Sequence, residues 1–292
     1  MNKPVVLCAG GDTRYIYTAK ELCKLGKVYT YGIGDRSDEA IVLKSVDDMP
    51  QKANLLVLPM VSSDSLDIKL SSGRTVSCKE LSNSLNKNSL VVGGRLGVSV
   101  VEYFSSLGHD VKDYFTREEL VVRNCIPTAE GTLQIAMQEL AITVSGSKTV
   151  ITGYGRVAKA CAKLFNAVGS QVTVAARNIS QLAQAQNDGC KAVNINALEE
   201  NIKDYDTIIN TVPSLVITRS VLQNVQKDSI IIDLASKPGG TDFEAAHQLN
   251  VKAVHALALP GKTAPITSGK LIAEAIKNIY TERRETDVFT RH

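Results

Sequence analysis

Residues 149–177 constrain the fold more strongly than any other stretch of this sequence. Residues 149–152 are a short β-branched run of the kind found in buried parallel strands. The pattern G-x-G-x-x-A follows at 153–158, and apolar residues then recur at helical spacing as far as residue 168. A second strand is expected at 171–176. The order strand, glycine turn, helix, strand is the context in which this glycine pattern indicates dinucleotide binding.

Each position of the turn has a physical role in that interpretation. Gly153 permits a tight turn, Gly155 lets the backbone approach a pyrophosphate, and Ala158 keeps the helix close to the strand. The free N–H groups and the positive end of the helix dipole then face the phosphates. The residues expected to bind the cofactor here are Gly153, Tyr154, Gly155, Arg156, Val157 and Ala158.

The end of the second strand predicts which cofactor binds. NAD sites place Asp or Glu about 20 residues after the glycines to bind the ribose 2′-hydroxyl. No acid occurs between Ser170 and Asn187, and the strand ends in Arg177, with Asn178 and Ser180 close behind. A guanidinium with small polar donors suits a 2′-phosphate, so these three residues predict NADP.

Composition argues against several classes of protein. The chain has 292 residues, 44% hydrophobic and 22% charged, which suits a cytoplasmic globular protein of two domains. A net charge of +3 without a basic block favours neither nucleic acid nor a membrane as partner. No targeting segment or membrane span is expected. Four histidines without ligand spacing predict no metal site, and six scattered cysteines indicate reduced thiols.

Strand-like runs alternate with helical stretches along the whole chain. They predict an α/β protein with two doubly wound parallel-sheet domains, the second a Rossmann NADP-binding domain. We expect residues 1–126 to form the first domain and 127–265 the second. A C-terminal helix over 266–284 should pack back on the first domain, and residues 283–292 should form a polar, frayed tail. The serine-rich segment 62–87 suits a small hairpin or a loop over the cleft.

The first domain is expected to bind substrate, because its glycine turn at 10–14 lacks the dinucleotide spacing. Asp12 and Arg14 follow a strand, where open α/β sheets bind ligands, although Arg14 suits a surface ion pair equally well. Thr128 follows a proline and suits the N-cap of a helix that runs to about residue 142 at the domain crossing. Such a helix forms part of the cleft floor, so Thr128 is also a candidate for binding substrate.

Three strand ends of the second domain carry small, polar or cationic residues, at 210–214, 233–240 and 259–265. Such loops line the nicotinamide and the substrate in doubly wound sheets. Asp233 suits either a turn cap or the nicotinamide amide, and we favour the cap. The cofactor candidates here are Thr211, Val212, Pro213, Asp233 and Ala235, and the substrate candidates are Ser214, Lys237, Lys262 and Thr263.

Seven segments between residues 9 and 269 carry a resemblance to one family. They are AGGDTR (9–14), IPTAEGT (126–132), GYGRVA (153–158), AAR (175–177), NTVPS (210–214), DLASKPGGTDF (233–243) and LPGKTAPITSG (259–269). On these segments the chain resembles the A subunits of dipicolinate synthase. The segment at 233–243 is the most specific of them, whereas the glycine pattern alone is common to many dehydrogenases.

The resemblance implies oxidation of dihydrodipicolinate, or of its 4-hydroxytetrahydro form, to dipicolinate with hydride transfer to NADP. It also implies that a flavoprotein-like B subunit is the partner, and that the protein works in the mother-cell cytoplasm of a sporulating bacterium, on a branch of lysine biosynthesis. A homo-oligomer is expected as well. The alternatives are a dehydrogenase of another small 2-hydroxy or 2-amino acid, or an NADP(H)-binding regulatory subunit. The catalytic base stays open among Lys262, His255 and an Asp12 of raised pKa.

Overall fold

Residues 3–34, 39–60 and 64–289 are described by a computed structural model, the last three of them by backbone alone. The chain divides into a first domain, Met1–Asn124 with Ala264–His292, and a second domain, Cys125–Thr263.

The first domain is built on a six-stranded parallel sheet in the order β3-β2-β1-β4-β7-β8. Its strands and the two strands of a separate hairpin are β1 (Val5–Ala9), β2 (Lys27–Tyr31), β3 (Ile41–Leu43), β4 (Ala53–Met60), β5 (Asp67–Lys69), β6 (Thr75–Ser77), β7 (Leu85–Gly94) and β8 (Asp110–Asp113). The central strands are apolar along their length because both faces of a parallel sheet are covered. Leu55 and Val57 pack with one cluster of buried side chains, and Leu56 and Leu58 with another.

Short helices connect these strands. They are α1 (Thr13–Leu22), α2 (Cys78–Asn83), α3 (Val98–Ser106) and α4 (Glu118–Arg123), with 3₁₀ turns at Val46–Asp48 and Tyr114–Thr116. The segment expected as a hairpin or a cleft loop forms the β5–β6 hairpin followed by α2. Residues 62 and 63 of that segment lie outside the described residues.

The second domain repeats this topology. Its parallel strands run β11-β10-β9-β12-β13-β14, the order 3-2-1-4-5-6 of dinucleotide-binding folds. The strands are β9 (Lys148–Thr152), β10 (Gln171–Ala176), β11 (Lys191–Asn194), β12 (Thr207–Asn210), β13 (Ile230–Asp233) and β14 (Lys252–His255). The predicted fold class, two doubly wound α/β domains with a Rossmann second domain, is confirmed.

Helices cover both faces of the second sheet. They are α5 (Cys125–Glu139), α6 (Arg156–Ala167), α7 (Ile179–Asn187), α8 (Leu198–Asn201), α9 (Arg219–Leu222), α10 (Phe243–Gln248) and α11 (Leu259–Thr263), with 3₁₀ turns at Ile195–Ala197 and Ile202–Asp204. On one face Ile151 and Ile232 pack with Phe165 of α6, and on the other Ile208 and Ile231 pack with Leu222.

Two local expectations differ from the structure. Thr128 is not an N-cap, because α5 begins at Cys125 and Thr128 lies inside its first turns. Pro127 is tolerated there since the first N–H groups of a helix have no intrahelical partner. The segment 259–263, expected as a loop, forms the short helix α11.

The last helix, α12 (Pro265–Phe289), returns to the first domain and packs on α1, α4 and the 3₁₀ turn that follows β8. It continues past the expected start of the tail at residue 283, because ion pairs hold its last turns. Arg117 forms a bidentate ion pair with the Glu282 carboxylate, and Arg283 Nε lies 3.5 Å from Asp110 Oδ2. Residues 290–292 of the expected tail lie outside the described residues.

Candidate functional site

The turn between β9 and α6 has the geometry of a phosphate-binding turn. Gly153 is in the left-handed region, with φ of +77°, and its N–H donates to the carbonyl of Ala175. Gly155 is the N-cap of α6, and no side chain caps the helix there. A Cβ built on Gly155 would meet no other atom within 4 Å. Open space above uncapped N–H groups is what a pyrophosphate requires, so the turn fits a dinucleotide.

The remaining positions of the motif differ in how far they are buried. Ala158 is fully buried between α6 and the sheet. The Tyr154 ring is buried too, and its hydroxyl donates to Asp188 Oδ2 at 2.7 Å. Tyr154 can therefore approach a ligand only through its backbone. Val157 packs partly into the core, whereas Arg156 is exposed at the start of the helix.

Arg177 follows β10 at the same edge of the sheet and is exposed. In the part of the chain that the structure describes, no carboxylate lies within ion-pair distance of it. Asn178 is the N-cap of α7, and its side-chain oxygen accepts from the N–H of Ser180 at 2.8 Å. Ser180 is exposed in the first turn of α7. The guanidinium of Arg177 and the exposed Ser180 side chain are chemically suited to a phosphate monoester, whereas the Ser180 N–H is already used by Asn178.

A buried polar network, which the sequence analysis missed, ties three strand ends together. Thr152 of β9 donates to Asn210 Oδ1 at 2.6 Å, and Asn210 Nδ2 donates to Asp233 Oδ1 at 2.8 Å. All three residues are fully buried. The signal for this network was a polar residue at the last position of each strand, which in an apolar sheet requires partners.

Asp233 caps the loop that follows β13. Its Oδ1 also accepts from Ala235 N–H, and its Oδ2 accepts from Gly240 N–H, both at 2.9 Å. Gly240 has to be glycine, because a Cβ would lie 2.4 Å from the carbonyl oxygen of Val212. Ala235 is buried, while Lys237, before the cis-proline Pro238, is exposed.

His255, at the end of β14, supports the same loop. Its Nε2 is 2.9 Å from the carbonyl oxygen of Ala235, and its ring stacks on Phe243 with centroids 5.1 Å apart. These contacts give His255 a packing role.

The loop after β12 lies beside the glycine turn. The Thr211 hydroxyl donates to the carbonyl of Thr152 at 2.7 Å, and the Val212 N–H donates to Asn210 Oδ1. A Cβ on Gly153 would lie 3.0 Å from Val212. Pro213 and Ser214 are exposed beyond these two residues. The structure therefore brings the predicted cofactor residues of β9 and β12 together.

The remaining second-domain candidates lie on packed helices. Thr263 of α11 is next to α5, where a Cβ on Gly131 would be 2.6 Å from its hydroxyl oxygen. Lys262 is exposed on α11. Thr128 is half-buried on α5, and its carbonyl accepts from the Thr132 hydroxyl at 2.8 Å.

In the first domain Asp12 and Arg14 form an ion pair at the end of β1. Asp12 caps α1, and Arg14 Nη2 lies 2.7 Å from Asp12 Oδ2. The Arg14 side chain is only 8% exposed and the Asp12 side chain 49%, so the pair is buried on the arginine side and open to solvent on the carboxylate side. Partial burial raises the pKa of Asp12, but the hydrogen bonds and charge of Arg14 outweigh it and leave that pKa below its ordinary value. The raised pKa that a basic role for Asp12 required is therefore absent.

The β5–β6 hairpin closes the glycine turn of the first domain. The Gly11 N–H donates to the carbonyl of Lys69 at 3.2 Å, and a Cβ on Gly10 would lie 2.6 Å from that same oxygen. Leu70 lies against Gly32 after β2. A dinucleotide cannot approach a turn whose backbone is covered in this way.

The described residues were also compared with what metal sites, membrane spans and disulfides require. No three His, Cys, Asp or Glu side chains among the described residues are grouped as metal ligands would be. None of the described helices combines the length and the apolar content of a membrane span. All six cysteines are free thiols.

Comparison with known families places a boundary near residue 125, as the structure does, but the second match continues into α12, which belongs to the first domain. Residues 5–115 match the family of dipicolinate synthase A-subunit N-terminal domains. Residues 125–285 match the family described as alanine dehydrogenase/PNT, C-terminal domain. The second domain is accordingly an NAD(P)-binding domain of dehydrogenase type.

Individual proteins resemble the chain over nearly its full length. The A subunit of dipicolinate synthase from Bacillus subtilis (strain 168) is 29% identical over 280 residues, 94% of each chain. The crystal structure of the corresponding protein from Bacillus halodurans has a TM-score of 0.86 at 28% identity, over 95% of this chain and 98% of that one.

A more distant likeness shows the fold alone. The transhydrogenase of Sinorhizobium meliloti has a TM-score of 0.71 at 15% identity, over 94% of this chain and 93% of that one. Through its matched second domain the chain belongs to the alanine dehydrogenase/PNT C-terminal domain family, and over nearly its whole length it resembles the A subunit of dipicolinate synthase.

Proposed function

We propose that this chain oxidises dihydrodipicolinate, or its hydrated 4-hydroxytetrahydro form, to dipicolinate, with NADP⁺ as the oxidant. The observation that carries the proposal is the uncapped start of α6 under open space at Gly155, in a chain that resembles the A subunit of dipicolinate synthase over 94% of its length. NADP⁺ supplies a hydride acceptor when bound, and the protein supplies binding and alignment.

NADP rather than NAD is proposed because of Arg177. An exposed guanidinium without a carboxylate partner in the described chain suits the 2′-phosphate, and the N-cap of α7 lies beside it. Gly153, Gly155, Arg156 and the backbone of Tyr154 would hold the pyrophosphate. Thr211, Val212, Pro213 and the loop that Asp233 caps at Ala235 would hold the nicotinamide end.

The substrate is a dianion, so cations and hydroxyl donors are needed to bind it. Those proposed are Arg14 with its partner Asp12, Lys237, Lys262, Thr128, Ser214 and Thr263. From dihydrodipicolinate, one ring carbon would transfer a hydride to NADP⁺ and a neighbouring ring atom would lose a proton to a base or to water, and the ring becomes aromatic. From the hydrated form, water leaves as well. No covalent intermediate is needed, so the required contribution is alignment of the ring.

The name of the relatives supports an assembly. They are each one subunit of a synthase, so we propose that a flavoprotein-like B subunit is the partner and that this chain also self-associates. A mother-cell cytoplasmic location during sporulation belongs to the same proposal.

The test is dipicolinate formation from enzymatically generated dihydrodipicolinate with NADP⁺, with and without the B subunit. Product that forms faster than in the enzyme-free oxidation control supports the proposal. Product that forms only with the partner would mean that the partner completes the enzyme. Absence of product in both arms, with NADP⁺ still bound, would overturn the proposed reaction.

A second candidate function is supported by the family of the second domain. Alanine dehydrogenases give their name to that family, so oxidation of another small 2-amino or 2-hydroxy acid is the alternative reaction. NADPH production from such acids, but not from dihydrodipicolinate, would favour it. Binding of NADP(H) without any turnover would favour a regulatory subunit.

A further inference from the structure

Arg95, after β7, has a backbone conformation that arginine rarely adopts. Its φ is +51°, in the left-handed region, and Gly93, Gly94 and Gly97 surround it in the sequence. Glycine takes this conformation freely, whereas a Cβ makes it unfavourable. A non-glycine residue in this conformation is uncommon, so a role for the side chain itself is worth seeking there.

Asp113 accepts a hydrogen bond from the residue after Arg95, but its carboxylate does not pair with the arginine. Its Oδ2 accepts from the N–H of Leu96 at 3.1 Å, and its Oδ1 accepts from the N–H of Phe115 at 2.7 Å. The Arg95 guanidinium instead lies 5.0 Å above the centre of the Phe115 ring. Arg95 is exposed, and in the described residues no carboxylate is within ion-pair distance of it. The loop therefore holds a guanidinium whose hydrogen-bonding edges are available to an anion.

A buried pair of tyrosines connects this loop to Arg14. The Met60 N–H donates to the Tyr15 hydroxyl, which lies 2.7 Å from the Tyr114 hydroxyl. Tyr114 in turn donates to the carbonyl of Leu58. The Arg14 guanidinium lies 5.9 Å from the centre of the Tyr15 ring.

The same tyrosines fix the end of β7. A Cβ on Gly94 would lie 2.6 Å from the Tyr114 ring, so Gly94 packs directly on it. The end of β4 is thus hydrogen-bonded to the tyrosine pair and the end of its neighbour β7 packs on it, while Tyr15 itself belongs to α1, the helix that follows β1. Arg14 lies in α1, which follows β1, and Arg95 follows β7; these two strands are two strand spacings apart, or roughly 10 Å.

The position of the hairpin limits where a ligand of the first domain can bind. Since β5–β6 covers Gly10 and Gly32, the ends of β1 and β2 are closed on that side. The topological switch point of this sheet lies between β1 and β4, where ligands of doubly wound folds bind. Arg14 and Arg95 stand on the two sides of β4 at this edge.

We propose that Arg95 binds one carboxylate of the dicarboxylate substrate and that Arg14 binds the other. This inference rests on the proposed function and adds to it a residue that selects dicarboxylates over monocarboxylates. Arginine is suited to the role because its planar fork pairs with both oxygens of a carboxylate. Arg14 already pairs with Asp12 through Nε and Nη2, so its contact with the substrate would be made through Nη1.

The test compares two ligands by calorimetric titration of the full chain in metal-free buffer, namely pyridine-2,6-dicarboxylate and pyridine-2-carboxylate. The wild type should bind the dicarboxylate more tightly. In Arg95→Met its affinity should fall about 10- to 100-fold, as expected for loss of a charge-assisted hydrogen bond, and the preference should collapse. Arg95→Lys should recover part of it.

Arg284→Met is the matched control. Arg284 also stacks on an aromatic ring, 5.9 Å from the centre of Tyr280. It lines a cavity with Lys3, Pro4 and Lys87, at the opposite end of the strands. Its loss should leave both affinities unchanged, which separates a local effect from a change in net charge.

Arg95→Gly distinguishes binding from structure. Glycine relieves the left-handed backbone, so the melting temperature should be unchanged or higher while the dicarboxylate preference is lost. A lower melting temperature with the preference retained would make Arg95 a structural residue and overturn the proposal.

The role of Arg95 and the proposed function fail in different ways. A wild type that prefers the dicarboxylate, with the same preference in Arg95→Met, overturns the role of Arg95 and leaves the proposed function standing. A wild type that binds NADP⁺ but shows no preference between the two ligands overturns both.

Discussion

Arg177 is the residue on which the cofactor assignment depends. It occupies the strand end where an NAD-binding domain places an acid, and it has no carboxylate partner in the described chain. Its charge is therefore available to the ribose phosphate, while the glycine turn treats both cofactors alike.

Arg177→Asp should lower the affinity for NADP⁺ by about 10- to 100-fold, the range for a charge-assisted hydrogen bond. Its effect on the affinity for NAD⁺ should be much smaller. Fluorescence titration with the reduced cofactors measures this. Arg219→Asp is the control, because Arg219 is an exposed arginine of the same domain that donates to Gln248. Equal losses for both cofactors would contradict the 2′-phosphate role of Arg177.

Asp12 and Arg14 predict a pH-dependent contribution to stability. Asp12→Asn keeps a good N-cap for α1 but leaves the buried Arg14 without its counter-charge, so it should lower the free energy of unfolding at neutral pH. The native pKa of Asp12 lies below its ordinary value of 3.8. The wild-type advantage should be complete above that ordinary value and disappear as the pH falls through the lowered native pKa.

Urea unfolding of both proteins from neutral to acidic pH checks this behaviour. A stability difference that persisted unchanged at the acid end would show that the Asp12 charge is not its source.

Among the secondary-structure elements, the glycine turn at the start of α6 contains one glycine expected to matter for cofactor affinity and one expected to matter for stability. Gly155 has an ordinary φ of −83° and open space around it, whereas Gly153 has a φ of +77°. Gly155→Ala should leave the melting temperature unchanged. It should lower the affinity for both cofactors about tenfold, because the added methyl group would occupy space that the pyrophosphate needs. Gly153→Ala should destabilise the fold by about 1 kcal/mol or more.

Thermal melts and cofactor titrations of the two variants provide the measurement. Unaltered cofactor affinity in Gly155→Ala would argue against a phosphate above that residue.

The Thr152–Asn210–Asp233 network links the ends of three strands, and we expect its loss to lower the stability of the second domain. Asp233 accepts hydrogen bonds from Asn210, Ala235 and Gly240 and donates none. In Asp233→Asn an amide NH₂ would face one of these donors, so the free energy of unfolding should fall by about 1–3 kcal/mol, the effect of an unsatisfied buried group. Urea denaturation measures it, with Asp228→Asn in the loop before β13 as the exposed control. Equal stability of the two variants would show that the network does not hold the loop.

The elements that sequence patterns predict well are those whose physics is local. The glycine turn, α6 and the buried strands follow from spacing and β-branched composition over a few residues. The short strand β3 and the helix α11 escaped prediction because contacts distant in sequence stabilise them. Arg95 escaped as well, because its left-handed backbone is invisible in the sequence.

The two sheets of the molecule share one strand order. They differ in whether the glycine turn after the first strand is open or covered by other residues. In the second domain the turn at Gly155 is open, and in the first the hairpin covers Gly10 and Gly11. The absence of dinucleotide spacing at residues 10–14 predicted a substrate-binding role for the first domain. The hairpin gives a physical reason why a dinucleotide is excluded from it.

The reaction proposed for the whole protein is direct oxidation of a dihydropyridine ring by NADP⁺. Substrate deuterated at its saturated ring carbons, incubated with NADP⁺ and the complete enzyme, tests it by mass spectrometry of the reduced cofactor. One deuterium in NADPH is expected for each dipicolinate formed. Dipicolinate formed without deuterium in the cofactor would rule out direct hydride transfer, since the electrons would then have left by another route.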